Sequence, residues 1–197
     1  MKKSIAFFDF DGTITTKDTL LEFIKYSKGK LLFYIGFFIY APYLVAYKLK
    51  IISNQTAKER IIKFFFGKMP LTDFQKQCDL FMDNRLPKLI RPKATKEIKR
   101  LQNIGANVVV VSASPENWIR GWADSMQLQL IATRLEIRKD RITGRIIGRN
   151  CYGIEKVKRI QEAYSLDEYD KIYAYGDSSG DKYMMRLANI SFFKPFL

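Results

Sequence analysis

Short, near-continuous apolar runs alternate along most of this chain with stretches whose apolar residues recur every three or four positions. Residues 5–8, 108–111 and 172–175 are such runs, as expected of strands buried on both faces of a parallel sheet. From Pro92 onward the two periods take turns. Ile98, Leu101 and Ile104 mark a helix stopping at Gly105. A basic helical stretch carries Lys156 and reaches Tyr164. Met184, Met185 and Leu187 mark a further helix, and residues 190–193 a last short strand. That alternation predicts an α/β fold with a parallel sheet. Residues 135–147 interrupt it as a hairpin turning at Lys139-Asp140-Arg141, with Gly144 as a further break.

Residues 16–88 read as all helical. Leu20, Leu21, Phe23, Ile24 and Tyr26 predict a first helix. Thr56-Ala57-Lys58-Glu59 is a capping-box pattern opening a helix through Phe66, and Thr72-Asp73-Phe74-Gln75 repeats the signal. The second of these helices carries an amphipathic stripe of Phe74, Cys78, Phe81 and Met82. The expected organisation is a core of residues 1–15 and 89–197, with a helical insertion of residues 16–88.

Residues 31–47 stand apart: seventeen positions without a charge, rich in Phe and Tyr, preceded by Lys28 and Lys30 and followed by Lys48 and Lys50. A membrane span needs about 20 apolar residues, and Gly36, Pro42 and the tyrosines interrupt this run. A span here would also put the N-terminal strand and the remaining motifs on opposite sides. The pattern favours a helix or helical hairpin packed over the site. The competing expectation is an interfacial helix on an anionic leaflet, its lysines at the headgroups.

At 197 residues the chain suffices for one substantial core plus a modest insertion. The net charge of +14 raises nucleic acid as a partner. The basic residues are scattered, however, and no RNA- or DNA-binding signature accompanies them. An anionic phosphate substrate, an anionic lipid surface or plain solubility accounts for the charge equally well, so nucleic acid is the weaker alternative. Cys78 and Cys151 form no disulfide framework and suit a reducing compartment, and Cys78 lies on an apolar stripe as a core residue would. A strand starting near residue 4 leaves no room for a signal peptide. The cytoplasm is therefore the expected location, or the inner face of the membrane if residues 31–47 lie on it. The chain has no histidine, which removes Ser-His-Asp hydrolysis, Cys-His proteolysis and histidine-ligated zinc.

The candidate chemistry sits where the apolar runs stop. The first ends in Asp9-Phe10-Asp11-Gly12, and open α/β sheets bind ligands beyond the carboxyl ends of their strands. If the strand continues, both carboxylates share a face, and Gly12 permits a sharp turn afterwards. Carboxylates that close repel unless a cation sits between them, and hard oxygens suit Mg²⁺. By itself, D-x-D is also an ordinary strand-end turn. The second run ends in Ser112-Ala113-Ser114, the third in Gly176-Asp177-Ser178-Ser179-Gly180-Asp181, and Gly153-Ile154-Glu155-Lys156 opens the basic helix. Ser114-Pro115-Glu116 reads as a helix start, with Ser114 as N-cap and the helix N-terminus ready to hold an anion beside Ser112. Trp118 and Trp122 on that helix read as packing residues. Lys156 alternatively reads as a solvated helix lysine like Lys158 and Arg159, and Ser112 as part of a strand-end turn.

Acids, a hydroxyl, a lysine and acids again, in that order from Asp9 to Asp181, resemble the haloacid dehalogenase superfamily of phosphohydrolases. A helical insertion directly after the first motif, and a β-hairpin ahead of the lysine, resemble its phosphoserine-phosphatase-like branch. The resemblance implies an α/β, Rossmann-like core with a parallel sheet, an inserted all-helical cap and a small β-hairpin. It implies a Mg²⁺-dependent phosphatase in which Asp9 is the nucleophile, forming an aspartyl-phosphate, and Asp11 the general acid and base. Ser112, the Ala113 amide and Lys156 would hold the phosphate. Asp9, the main-chain carbonyl of Asp11, and Asp177 would hold the metal, with Asp181 as a further ligand directly or through water. Asp18 and Arg60 fall near cap positions that contact substrate in phosphoserine phosphatases. Two departures leave the substrate open. Gly12 stands where those enzymes usually have serine, and Ser112-Ala113-Ser114-Pro115 where they continue Ser-Gly-Gly. The Ser-x-Ser-Pro form with an apolar cap helix looks as much like the bacterial phosphatidylglycerophosphate phosphatase of the same branch. The expected partner is thus a phosphorylated small molecule or a lipid phosphate, the latter with peripheral membrane contact. A non-catalytic relative that binds phosphate or protein is the alternative.

Overall fold

The computed structural model describes residues 3–49 and 51–197. Lys50, one of the flanking lysines named above, lies outside the described residues. Seven strands occur among them: β1 (Ser4–Phe8), β2 (Asn107–Pro115), β3 (Gln129–Thr133), β4 (Leu135–Arg138), β5 (Arg141–Ile146), β6 (Lys171–Gly176) and β7 (Ile190–Phe193). Five of them make a parallel sheet in the order β3-β2-β1-β6-β7, and β4 and β5 pair as a separate antiparallel hairpin. The three apolar runs are its central strands. Phe8 pairs with Val110 on one side and Tyr175 on the other, so the three strand ends lie level at one edge. Alternate side chains feed two cores. Ala6, Phe8, Val108 and Val110 face one, while Ile5, Phe7, Val109 and Val111 join Ile160 and Met184 in the other.

The helices are α1 (Thr19–Ile39), α2 (Ala41–Lys48), α3 (Asn54–Phe66), α4 (Leu71–Asn84), α5 (Pro92–Asn103), α6 (Arg120–Ser125), α7 (Ile154–Ala163) and α8 (Lys182–Leu187). The first four form a helical cap over the sheet edge. The chain leaves for the cap and returns side by side, with Thr16 N donating to Leu89 O at 2.8 Å and Arg91 N to Ile14 O at 2.8 Å. Phe23 of α1 ties cap to core. Its ring lies 5.1 Å from Phe66, 5.5 Å from Phe81 and 4.8 Å from Trp118 of the core. Trp118 is buried and Trp122 packs against Phe10, the packing roles expected of them.

Several element starts differ from expectation, each for a local reason. α3 is capped by Ser53, whose hydroxyl accepts from Thr56 N at 3.0 Å, so Thr56 lies inside the first turn. α4 begins after Pro70 without a side-chain cap; Leu71 N is satisfied instead by Asp140 O of the hairpin turn, at 2.8 Å. β2 runs on to Pro115, and the short α6 starts only at Arg120. A single 3-10 turn, Glu116–Trp118, does start after Pro115, but Ser114 does not cap it. Residues 31–47 divide between the second half of α1, beyond a break at Gly29, and α2. Phe33 and Gly36 are buried and Phe37 is half-buried toward Phe65 of α3, whereas Leu31, Tyr34 and Phe38 are exposed. The run is thus cap core on one face only.

Two outcomes follow from this packing. Gly144 of β5 has a φ of 84°, and an added Cβ would lie 2.4 Å from the Lys63 Cα of α3. Gly144→Ala should cost roughly 2–4 kcal/mol, combining left-handed strain with overpacking, read as a lowered denaturant midpoint. Cys78 and Cys151 are buried, and burial raises both thiol pKa values. An aromatic disulfide reagent should label the native protein roughly a hundredfold more slowly than the unfolded chain.

Candidate active site

β1 carries apolar side chains to the sheet edge, and the next residue is Asp9. Its amide donates to Tyr175 O at 2.9 Å, which keeps the backbone in register while the side chain emerges beyond the strand. β6 ends level with it, placing Asp177 opposite and Asp181 on the following turn. Asp9, Asp177 and Asp181 bring one carboxylate oxygen each within 4.8 Å of one another. Lys156, in the first turn of α7, sends its buried ammonium between two of them, 2.5 Å from Asp9 Oδ1 and 2.7 Å from Asp181 Oδ1.

The charges do not balance. Burial lifts the Asp9 carboxyl to about 8 despite the Lys156 ammonium, and Asp181 and Asp11 add repulsion. Burial and the Asp181 charge raise Asp177 as well. Burial opposes ionisation of Asp181, but Lys156 and the Ser178 hydrogen bonds outweigh it and hold its pKa down. Desolvation disfavours the Lys156 ammonium, yet Asp9 and Asp181 hold it charged. One cation thus serves three carboxylates. This hard-oxygen donor set fits Mg²⁺, with Asp9 and Asp177 as the acids free to hold it. Asp181 is engaged at both oxygens, by Lys156 on one and by Ser178 N and Oγ on the other.

The strand stops at Phe8, so Asp9 and Asp11 lie in the turn beyond it rather than along one strand face. The chain turns through Gly12 at a φ of 83°. A Cβ there would lie 2.3 Å from Asp177 Oδ2, so glycine is required both for the turn and for the approach. The Asp11 carboxylate accepts from Thr19 N at 2.7 Å, Thr19 Oγ1 at 2.6 Å and Ser114 Oγ at 2.6 Å. Asp9, Asp11, Lys156, Asp177 and Asp181 nonetheless line one cavity of about 380 Å³. The cap contributes Lys58 to its wall. Lys58 Nζ donates to Ala113 O at 2.9 Å and to Asn150 Oδ1 at 3.2 Å. Desolvation lowers its pKa, against the pull of Asp11 and Asp18.

The model of the haloacid dehalogenase-like hydrolases matches residues 6–186. This chain belongs to that family. It is also 32% identical over 191 residues to Protein CicA of Caulobacter vibrioides, covering 96% of this chain and 85% of the relative. Among solved structures it resembles a protein of unknown function from Bordetella pertussis Tohama I, with a TM-score of 0.84 at 19% identity over 98% of this chain and 90% of that one. It also resembles a phosphoserine phosphatase carrying a phospho-aspartyl intermediate analogue, with a TM-score of 0.71 at 17% identity over 98% of this chain and 87% of that one. The α/β core, parallel sheet, helical insertion and hairpin are the haloacid dehalogenase-like fold.

The remaining candidates within this haloacid dehalogenase-like site divide. Ala113 lines the cavity. Ser112 is buried beneath its wall, its hydroxyl oxygen accepting from Ser114 N at 3.0 Å. Asp18 lies at the cavity rim and caps α1, accepting from Leu21 N at 3.0 Å. Arg60 is not in the site. It is exposed and lies 4.3 Å over the Tyr43 ring, because two residues along α3 turn it about 200° from Lys58. Lys17 and Lys58 are the cap cations that line the cavity among the described residues. The signal for Lys58 was spacing: Asn54, four residues earlier on the same helical face, lines the cavity too. Thr13 and Thr19 also escaped the sequence reading, and Ser114 entered it only as a helix cap, since a hydroxyl near a turn looks like any turn residue.

Removing the buried cation isolates its contribution. Lys156→Met should cost roughly 3–5 kcal/mol in metal-free equilibrium unfolding, because it strands two carboxylates. Adding Asp181→Asn should recover part of the loss.

Proposed function

We propose that this chain is a Mg²⁺-dependent phosphomonoesterase that works through an aspartyl-phosphate on Asp9. The observation that carries this reading is the Asp9 carboxylate, level with Asp177 at the mouth of the parallel sheet. One of its oxygens is held by Lys156 and the other is met only by Thr13 at a long 3.4 Å. That second oxygen attacks phosphorus, the ester P–O bond breaks, and Asp11 supplies the proton to the departing alkoxide. Rotation away from Thr19 and Ser114 brings Asp11 to the leaving oxygen. In the second step Asp11 takes a proton from water, which attacks phosphorus and releases inorganic phosphate from Asp9. Lys156 and the Ala113 amide, from residues that line the cavity, hold the phosphoryl oxygens as charge spreads over them, and the Ser112 hydroxyl reaches them from beneath the wall by leaving the Ser114 amide. Asp9, the Asp11 carbonyl and Asp177 would hold Mg²⁺, which would supply charge neutralisation when bound, and Asp181 fixes Lys156.

The family and the phosphoserine phosphatases among its structural neighbours support a phosphorylated small molecule as substrate. Lys58 and Asp18 offer such a leaving group one cation and one anion. A second reading, a lipid phosphate met at the inner face of a membrane, is favoured by a groove of about 900 Å³ outside the cavity, lined in part by Tyr47, Lys48, Ile51 and Ile52. Asn54 and Tyr152 line both spaces.

Hydrolysis of an aryl phosphate should require Mg²⁺ and fall at least roughly a thousandfold in Asp9→Asn; activity surviving that substitution would remove the assignment. Lys58→Met should raise KM for a small anionic phosphomonoester about tenfold with little change in kcat, the mark of lost ground-state binding.

A further inference from the structure

The second half of α1 packs one face on α3 and turns the other to solvent, and that outer face is apolar. Leu31 is 76% exposed, Tyr34 64% and Phe38 84%, with Ile35 and Ile39 beside them. Soluble surfaces rarely carry such contiguous apolar area without a use for it. The face continues past α2 through Val45 and Leu49 to Ile51, which is 72% exposed and also lines the outer groove. The charge around it has one sign. From Phe23 through Lys58 the chain contains no acidic residue, while Lys28, Lys30 and Lys48 flank the apolar stretch. No single helix among the described residues is long and apolar enough to cross a membrane.

We propose that the outer face of residues 31–49, together with Ile51, docks this protein onto an anionic lipid bilayer. Aromatic and aliphatic side chains enter the headgroup boundary, and the exposed Lys30 and Lys48 meet anionic headgroups, each strengthening binding roughly fivefold. Charge complementarity selects this occupant over a second copy of the chain, because two faces ringed by lysine on a protein of net charge +14 repel each other. Docked this way, the groove that shares Asn54 and Tyr152 with the catalytic cavity opens at the edge of the membrane contact. Its use by an amphiphilic phosphate rests on the phosphatase reading; the docking itself does not.

Co-sedimentation with vesicles of phosphatidylglycerol and phosphatidylcholine, against phosphatidylcholine alone, tests the proposal with the full chain. Wild type should pellet with the anionic vesicles and be released as salt rises. The triple variant Leu31→Ser/Tyr34→Ser/Phe38→Ser should partition at least about tenfold more weakly while hydrolysing a soluble aryl phosphate at the wild-type rate, which shows that it is folded. Asp9→Asn should bind vesicles like wild type, so a failed phosphatase reading would leave this arm standing. Three results would overturn the proposal: wild type remaining in the supernatant at low salt, unchanged partition of the triple variant, or a concentration-dependent dimer that the triple variant abolishes.

Discussion

Three carboxylates and one ammonium at the end of a parallel sheet set the terms for the rest of this molecule. Burying an ion costs several kcal/mol unless it is paired and hydrogen-bonded, and Asp9, Asp181 and Lys156 are all buried. Lys156 can stay charged there only because two strand ends and the first turn of α7 converge within hydrogen-bond distance. Level register between β1 and β6 is what makes them converge, and the apolar strands provide that register. The negative charge left over is what a divalent cation and a phosphoryl group would act on. The same electrostatic arrangement therefore governs both the local fold and the proposed chemistry.

The cap is bound to this centre by contacts of two kinds. Phe23 inserts into an aromatic cluster that spans cap and core. Polar contacts reach the candidate site residues themselves. Thr19, at the start of α1, holds Asp11, and Lys58 of α3 bonds to Ala113 O. A displacement of the cap would thus be felt at the candidate general acid and at the Ser112–Ser114 turn proposed to bind phosphate. Helix positions far apart in sequence become part of one electrostatic unit.

Much of this was legible in the residues, and what was not has physical reasons. Buried parallel strands announce themselves as apolar runs, so the three central strands could be located from sequence, and with them the acids at their ends. The helical character of the cap followed from apolar periodicity. Helix starts were less legible because competing caps stand close together: Ser53 and Thr56 both suit the role, and only the backbone decides between them. Whether Asp9 and Asp11 lie along one strand depended on where β1 stops, and it stops at Phe8. Arg60 was favoured over Lys58 by family position, whereas the face of α3 turned to the cavity is set by packing of Ile61, Ile62, Phe65 and Phe66. Residues 31–47 could not be divided in advance into buried and exposed faces, because both faces are apolar.

The central claim is covalent chemistry at Asp9, and a quenched single turnover followed by peptide mass mapping addresses it most directly. Asp11→Asn is the informative variant. An aryl phosphate has a good leaving group that needs little help from an acid, whereas attack by water on the phosphoenzyme still needs a base. With Mg²⁺ and aryl phosphate, Asp11→Asn should therefore accumulate one phosphoryl group per chain on the peptide containing Asp9, sensitive to hydroxylamine as an acyl phosphate is. A chain that turns over the ester with no phosphoryl group on that peptide, or that carries it on another residue, would contradict the account.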